Sequence, residues 1–186
     1  MPATNGRRRI AHRLIGPLAA LAIAAATVGA VAAGGASHGS ARIVGPDGAT
    51  IGWAELTEDA VGRVHLVVQV DGLAPGRHGV HLHAIGSCIG PAFTSAGGHH
   101  NPLAAEHGLD NPAGAHAGDL PNLDVNIAGR GHLATTSDRA TLSSGPVSLF
   151  DGDGSAVVIH ANEDDQVTNP TGNSGARVAC GVIVAD

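Results

Sequence analysis

The sequence predicts an all-β protein, an antiparallel β-sandwich or barrel, on three observations. Beyond residue 33 no apolar pattern of helical period is long enough to form a helix. Short segments of alternating apolar and polar residues recur instead, separated by Gly-rich turns, as in half-buried strands. With 28 Gly, two Phe, one Trp and no Tyr, the core must consist of Val, Ile, Leu and Ala. Many short strands joined by such turns are typical of sandwiches and barrels.

The first 33 residues have the composition of a secretory signal peptide. A start with four Arg precedes an Ala-rich apolar run over 14–33, and residues 30–32 read Ala-Val-Ala, a small-x-small cleavage pattern. An uncleaved membrane anchor is the alternative, since about 20 apolar residues can just span a bilayer. The Gly, Pro and many Ala of this run disfavour an anchor. We therefore expect export with cleavage of residues 1–33, a flexible leader at 34–41, one domain over 42–186, and no stable membrane insertion after cleavage.

Charge and cysteine content limit the kinds of partner and the cell compartment that the sequence allows. The formal net charge of −6 becomes −10 once residues 1–33, with four Arg and no acidic residue, are removed, and no Lys occurs anywhere. Such an acidic domain is not expected to bind nucleic acid through phosphate contacts. Export would place Cys88 and Cys180 in an oxidising compartment, where two cysteines usually pair.

The strand candidates follow one another in a regular order. The strongest covers 64–70, where four apolar residues alternate with His65, Val67 and Gln69. The predicted strands, with the histidine-rich stretch 76–83 on or at the end of one, lie at 51–56, 64–70, 76–83, 123–127, 133–136, 147–150, 156–160 and 178–184. Two long segments without periodicity, 84–122 and 161–177, interrupt this order. Long irregular loops in a compact domain are usually functional.

Histidines are concentrated in and around these loops. His81 and His83 are two residues apart, so on a strand they share one face and can share one metal ion. An isolated pair of this kind is equally compatible with surface histidines. Six histidines and one aspartate make a more complete set: His81, His83, His99, His107, His116, His160 and Asp119. Two four-coordinate metals need eight ligand positions, and one imidazolate bridging both metals would supply the eighth.

Five motifs occur in a fixed order. They read GRHGVHLH at 76–83, GGHHNP at 97–102, HAGDLPN at 116–122, VVIH at 157–160 and GNSGARVACGVI at 172–183. On these motifs the chain resembles the copper/zinc superoxide dismutases, in particular the exported bacterial type. The resemblance implies an immunoglobulin-like Greek-key sandwich or barrel with two long functional loops. It implies conversion of superoxide to dioxygen and hydrogen peroxide by Cu(II)/Cu(I) cycling, in the periplasm, cell envelope or outside the cell, as protection against superoxide there.

The resemblance also assigns roles to residues. It implies one Cu²⁺ and one Zn²⁺ per subunit: copper on His81, His83, His99 and His160, and zinc on His99, His107, His116 and Asp119. His99 would bridge the metals, opening at copper and taking up a proton on reduction. Asp164 would link a copper histidine to a zinc histidine, Cys88 and Cys180 would form the intrasubunit disulfide, and Arg177 would hold the superoxide anion.

The sequence departs from the family pattern at two points. His100 stands where an aromatic residue is often found, and we expect it to pack as a flat ring. The family's Lys residues near the copper channel are missing, so we expect a catalytic rate constant below the best of the family. A non-catalytic copper/zinc-binding protein of the same fold is the alternative function. A monomer and a homodimer are both open, since dimer surfaces differ between subgroups of the family.

Overall fold

A computed structural model describes residues 1–3 and 37–186 of the chain. Most of the predicted signal peptide and the first residues of the predicted leader lie outside this range. Ten strands and one short 3₁₀ helix, Thr94–Ala96, make up the described fold: β1 His38–Val44, β2 Thr50–Glu58, β3 Val64–Val70, β4 Gly76–His78, β5 Val80–His83, β6 Leu123–Val125, β7 Gly131–Ser137, β8 Ala156–His160, β9 Arg177–Val182 and β10 Val184–Ala185. In the described part of the chain no helix is long and apolar enough to cross a membrane.

The strands form one antiparallel, nearly closed barrel. Their order is β4-β6-β7-β3-β2-β1-β9-β8-β5, with β10 paired to β1. The two strands at the ends of this order, β4 and β5, are consecutive in the chain and separated only by Gly79. One continuous segment therefore contributes to both edges of the sheet, and the predicted all-β antiparallel fold is confirmed.

Gly79 is required where this segment passes from one edge to the other. Its N–H donates to the Asn162 carbonyl (2.8 Å), and its carbonyl accepts the N–H of His160 (2.8 Å). A Cβ atom at this position would lie 2.9 Å from Cβ of Ser174. Any larger residue would therefore push apart the strand edges and the loop that follows β8.

Along β3, in the barrel wall, buried side chains alternate with side chains that face outward. In β3, Val64, Leu66, Val68 and Val70 are buried and belong to the main core, whereas His65 and Gln69 are exposed. Burying the apolar surface of each fully buried Val or Leu side chain stabilises the fold by about 1.5–3 kcal/mol. The core thus consists of aliphatic side chains, as the composition requires.

Three segments differ from the sequence-based expectation. Residues 38–41, assigned to the flexible leader, lie in β1 and pair with β2, so the sheet begins before the predicted domain boundary at 42. The strand predicted at 147–150 is absent; only Ser148 makes an isolated bridge, to Thr141, while Leu149 is buried in the core. The strand predicted to reach 127 ends at 125, because the chain turns and Asn126 accepts the N–H groups of residues 128 and 130.

A disulfide between Cys88 and Cys180 joins the loop after β5 to β9, as predicted. The two Cα atoms are 5.6 Å apart, and the bridge closes a sequence separation of 92 residues. Phe93, Ala96, Ala156 and Val158 pack around Cys180 as a second apolar cluster. The long loop is therefore attached covalently to the barrel wall beside the histidine-bearing strands.

Candidate metal centre

The predicted ligands come from two paired strands and the loop between β5 and β6. They are His81 and His83 on β5, His160 at the end of β8, and His99, His107, His116 and Asp119 in the loop. Backbone hydrogen bonds align this loop with β5: His100 N–H donates to the Leu82 carbonyl (2.8 Å), and Leu82 N–H donates to the Gly118 carbonyl (2.9 Å). A loop with few large apolar residues is thereby ordered, and all seven side chains meet.

Two of the imidazoles face each other with unprotonated nitrogens. His83 Nδ1 lies 3.0 Å from the Gly97 carbonyl oxygen, and His160 Nδ1 lies 3.1 Å from that of Gly175. A carbonyl oxygen only accepts, so each Nδ1 carries the proton and each Nε2 of the neutral ring carries a lone pair. The two Nε2 atoms are 3.4 Å apart. Two facing lone pairs at this distance favour a cation between them.

His81 and His99 each direct a buried nitrogen into the same space. His81 donates from Nε2 to Asp164 Oδ2 (2.6 Å), which leaves its Nδ1 as the ligand atom. Within the described residues, His81 Nδ1 and His99 Nε2 are buried without a hydrogen-bond partner. Ligand atoms of His81, His83, His99 and His160 all lie within 4.8 Å of one another. A buried site of four imidazoles suits copper.

A second group of ligand atoms surrounds one carboxylate oxygen. Asp119 Oδ1 lies 3.0 Å from His99 Nδ1, 3.0 Å from His107 Nδ1 and 3.2 Å from His116 Nδ1. Three imidazoles and one carboxylate suit zinc. His81 also falls within 4.8 Å of His99, His107 and Asp119. The ring of His116 contacts the Asp119 carboxylate, whereas Nε2 of His81 donates to Asp164, and the His81 ring centroid lies 3.8 Å from that of His99.

Asp164 connects the two groups. Its Oδ2 accepts from His81, and its Oδ1 accepts from Nε2 of His107 (3.0 Å), so one carboxylate fixes an imidazole in each group. Asn122 holds Asp164 in place through two hydrogen bonds to its backbone, each 2.8 Å long. Gly172 lies against this carboxylate at φ +59°, and a Cβ atom there would overlap Asp164 and His107. Such supporting contacts set the tautomer and orientation of metal-binding imidazoles.

Burial keeps three imidazoles of the first group neutral, those of His81, His83 and His160. It lowers the pKa of His81 to about 3, that of His83 to about 2 and that of His160 to about 4, from an ordinary value of 6.5. Burial penalises the charged form of each ring. Neutral imidazoles are the form that binds a metal ion, so these three are ready to bind at neutral pH.

The carboxylates of the centre are ionised although they are buried. Burial opposes ionisation, but hydrogen bonds hold the pKa values of Asp119 and Asp164 well below 3.8. The hydrogen bond from His107 lowers both pKa values the most. Burial likewise opposes protonation of His107, yet these two carboxylates raise its pKa to about 9. Both carboxylates are completely buried and carry negative charge, which a bound metal cation would balance.

Arg177 lies in the cavity that gives access to the first group. Its guanidinium donates to the carbonyls of Phe93 (2.6 Å) and Gly97 (2.5 Å), and Gly97 also accepts from His83. A cavity of about 390 Å³ is lined by His83, Gly98, His99, Asn101, His116, His160, Pro170, Thr171, Gly175 and Arg177. Arg177 is the only Lys or Arg side chain in this lining, so an anion entering the cavity meets one fixed positive charge.

Two further histidines have other surroundings. His78 is buried, and its ring nitrogens lie 2.7 Å from the His160 carbonyl oxygen and 2.9 Å from that of Ala74, which gives it a structural position. His100 is buried as a packed ring and belongs to neither ligand group. The supporting roles of Asn122 and Gly172 were not predicted, although both residues lie within the sequence motifs. Their backbone and side-chain contacts with Asp164 depend on the folded loops.

Fold and site together define a class: an antiparallel β-barrel with two adjoining, buried groups of histidine and aspartate side chains that could each hold a metal ion. A family model described as copper/zinc superoxide dismutase matches residues 50–183. The chain belongs to the copper/zinc superoxide dismutase family, and its cofactors are copper and zinc.

Relatives and solved structures agree with this membership. The chain is 44% identical over 140 residues to the Cu-Zn superoxide dismutase of Caulobacter vibrioides, covering 74% of this chain and 80% of the relative. It is 41% identical over 147 residues to the superoxide dismutase-like protein YojM of Bacillus subtilis, covering 78% and 75% of the two chains. The crystal structure of a SOD-like protein from Bacillus subtilis matches with a TM-score of 0.75 at 40% identity, over 78% of this chain and 97% of that one.

Proposed function

We propose that this chain is an exported superoxide dismutase that uses a Cu(II)/Cu(I) cycle, with His81, His83, His99 and His160 as copper ligands. Zinc is held by His99, His107, His116 and Asp119. The observation that carries the proposal is the facing of His83 Nε2 and His160 Nε2 at 3.4 Å, in a cavity that also contains Arg177. A complete imidazole set beside a cation that attracts an anion supports turnover of superoxide.

The bound copper would supply one-electron exchange, through which two superoxide anions and two protons become dioxygen and hydrogen peroxide. Arg177 binds and orients the anion, since its guanidinium is fixed by two carbonyls at the cavity. Nδ1 of His99 lies 3.0 Å from Asp119 Oδ1, in the group that would hold zinc. With Nδ1 occupied there, Nε2 holds the proton of the ring whenever Nε2 is not a copper ligand. Asp164 keeps the proton of His81 on Nε2, so that Nδ1 remains available.

Metal content and activity of the mature chain test this function. We expect one copper and one zinc per chain, strong dismutase activity that requires copper, and at least a tenfold loss of kcat/KM in Arg177→Ala with unchanged metal content. Arg63→Ala is the matched control, since Arg63 pairs with Asp59 on the surface. Full metal loading without activity, or full activity in Arg177→Ala, would refute the proposal.

A non-catalytic copper/zinc-binding protein is the second candidate. The specific observation in its favour is the 41% identity to a protein named only superoxide dismutase-like. A storage or delivery protein must release its metal. We therefore expect the two functions to separate in a copper-transfer assay: a dismutase retains copper against a moderate chelator for hours and turns over, whereas a delivery protein loses copper and is inactive.

Export is supported by the Cys88–Cys180 disulfide and by the bacterial relatives. Disulfides persist mainly in oxidising compartments. The composition of residues 1–33 makes cleavage before the domain the expected route of maturation. Mass spectrometry of the protein isolated from cell fractions tests this: we expect an extracytoplasmic chain beginning near residue 34, and a full-length cytoplasmic chain would contradict export.

A further inference from the structure

The outer face of the barrel has a second cavity, beside the exposed side chains of Trp53, Gln69 and His132. It has a volume of about 440 Å³ and is formed by the ends of β2, β3 and β7 with the turns that follow β3 and β6. None of the predicted metal ligands lines it. Its size lies within the range of small-molecule sites.

One wall of this cavity is Trp53, the only Trp of the chain. Trp53 is 39% exposed and points outward from β2, where neighbouring Ala54 is completely buried. The two Phe are not exposed and Tyr is absent, so Trp53 is the only exposed ring among Phe, Tyr and Trp. A half-exposed indole offers a flat apolar face on which the ring of a ligand can stack.

The remaining walls are polar and electrically balanced. Asp71 and Arg130 form an ion pair, with Arg130 Nε 3.3 Å from Asp71 Oδ2, and their side chains are 66% and 71% exposed. At this exposure the other Asp71 oxygen and the terminal guanidinium nitrogens are accessible to a ligand, and Gln69 and His132 add further polar groups. A carboxylate acceptor beside guanidinium donors matches two neighbouring hydroxyl groups. Since the charges cancel, the lining favours a neutral ligand over an ion.

The turns that carry these groups are held rigidly. The N–H groups of Gly72 and Leu73 both donate to the Gly129 carbonyl, at 3.0 and 3.3 Å, and Asp71 N–H donates to the Ile51 carbonyl at 2.8 Å. The side-chain oxygen of Asn126 closes its own turn by accepting the N–H groups of residues 128 and 130. A pre-formed cavity lowers the entropy cost of binding.

We propose that this cavity binds a neutral saccharide, with one sugar ring stacked on Trp53 and vicinal hydroxyls hydrogen-bonded to Asp71 and Arg130. The site is independent of the metal centre. It would let the protein associate with polysaccharide while its dismutase centre stays accessible on another part of the barrel.

The single Trp makes a direct test possible, because intrinsic fluorescence reports on this cavity alone. The metal-loaded full domain is titrated with neutral trisaccharides of glucose and of N-acetylglucosamine, and with adenosine as a planar non-saccharide probe. We expect a saturable fluorescence change with at least one trisaccharide, at a dissociation constant of about 1 mM for so open a site, and weaker binding of adenosine.

Variants test whether the saccharide binds in this cavity. By calorimetry, Trp53→Ala should abolish saccharide binding and Asp71→Asn should weaken it about fivefold or more, while dismutase activity stays at the wild-type level. Ile127→Ala, at a fully exposed position on the adjacent turn, is the matched control and should bind normally. The proposal is overturned if neither trisaccharide binds up to about 20 mM, twentyfold above the expected constant, if adenosine binds more tightly, or if both cavity variants bind like the wild type.

Discussion

Replacing Asp164 by Asn removes the one carboxylate that contacts both ligand groups. In the wild type its two oxygens accept from His81 Nε2 (2.6 Å) and His107 Nε2 (3.0 Å). An Asn side chain has one oxygen and one NH₂ group, so one of the two histidines must face a donor. That histidine then favours the tautomer with the proton on Nδ1, the atom that its metal requires. One hydrogen bond to a charged group contributes about 1.5–3 kcal/mol, which corresponds to roughly a 10- to 100-fold loss of affinity.

The assay is a competition titration of copper and zinc against chelators of known affinity, for Asp164→Asn and wild type in parallel. We expect the affinity for at least one of the two metals to fall by about 10- to 100-fold. Asp165→Asn is the matched control: Asp165 is exposed, its Oδ1 accepts from residues 167 and 168, and it contacts no ligand histidine. Affinities for both metals within twofold of the wild type would refute the argument that Asp164 sets the tautomers.

Three further predictions concern the loops and the barrel. Cys88→Ser should lower the free energy of unfolding by about 4–5 kcal/mol, the chain-entropy value for the loop it closes, as measured by urea denaturation; a loss below about 1 kcal/mol would contradict this model. Glu58→Gln should destabilise the fold at pH 7 by about 1–2 kcal/mol. Burial raises the pKa of Glu58, but donors at 142–143 lower it below 4.5, so this stabilisation is present above pH 4.5 and fades as the pH falls; a difference from wild type that persists unchanged at pH 3 would count against it. His107→Ala, under full copper loading, should lower dismutase activity and alter the copper spectrum, because His107 contacts both Asp119 and Asp164; unchanged activity and spectrum would show that the zinc loop does not position the copper ligands.

The strands with a clear period of two were predictable from the sequence, and those without it were not. Residues 64–70 alternate strictly and form β3 as expected. By contrast, β1 begins within Gly-, Ser- and Ala-rich residues and is ordered by pairing with β2, the next strand in the chain, and with β10, which lies far away in sequence. Leu149 belongs to a segment of four residues, 147–150, of which all but Ser148 are apolar, but its side chain enters the core from a turn. A short, mostly apolar segment alone does not distinguish a strand from a turn whose side chain is buried in the core.

The candidate ligands could be identified from motif order, but their ligand atoms could not. Whether His81 offers Nδ1 or Nε2 depends on Asp164, which lies 83 residues further along the chain in another loop. The same holds for His83, whose Nδ1 proton is fixed by the carbonyl of Gly97. Tautomers follow from neighbours that only the folded loops bring together.

The passage of one segment through both edges of the sheet has a thermodynamic consequence. Within residues 37–186, β5, which follows Gly79, pairs with a single strand, β8, through four residue pairs that include His81 with Val158, and its other side meets only isolated bridges from the loop. Since β5 carries His81 and His83 while β8 carries His160, separating these strands would also disperse the imidazoles. Metal binding and barrel closure are therefore linked equilibria, and bound metal stabilises the closed form by RT ln(1 + [metal]/Kd). Amide hydrogen exchange of 80–83 should slow in step with metal affinity, more than exchange in β3, which is closed by pairing on both sides.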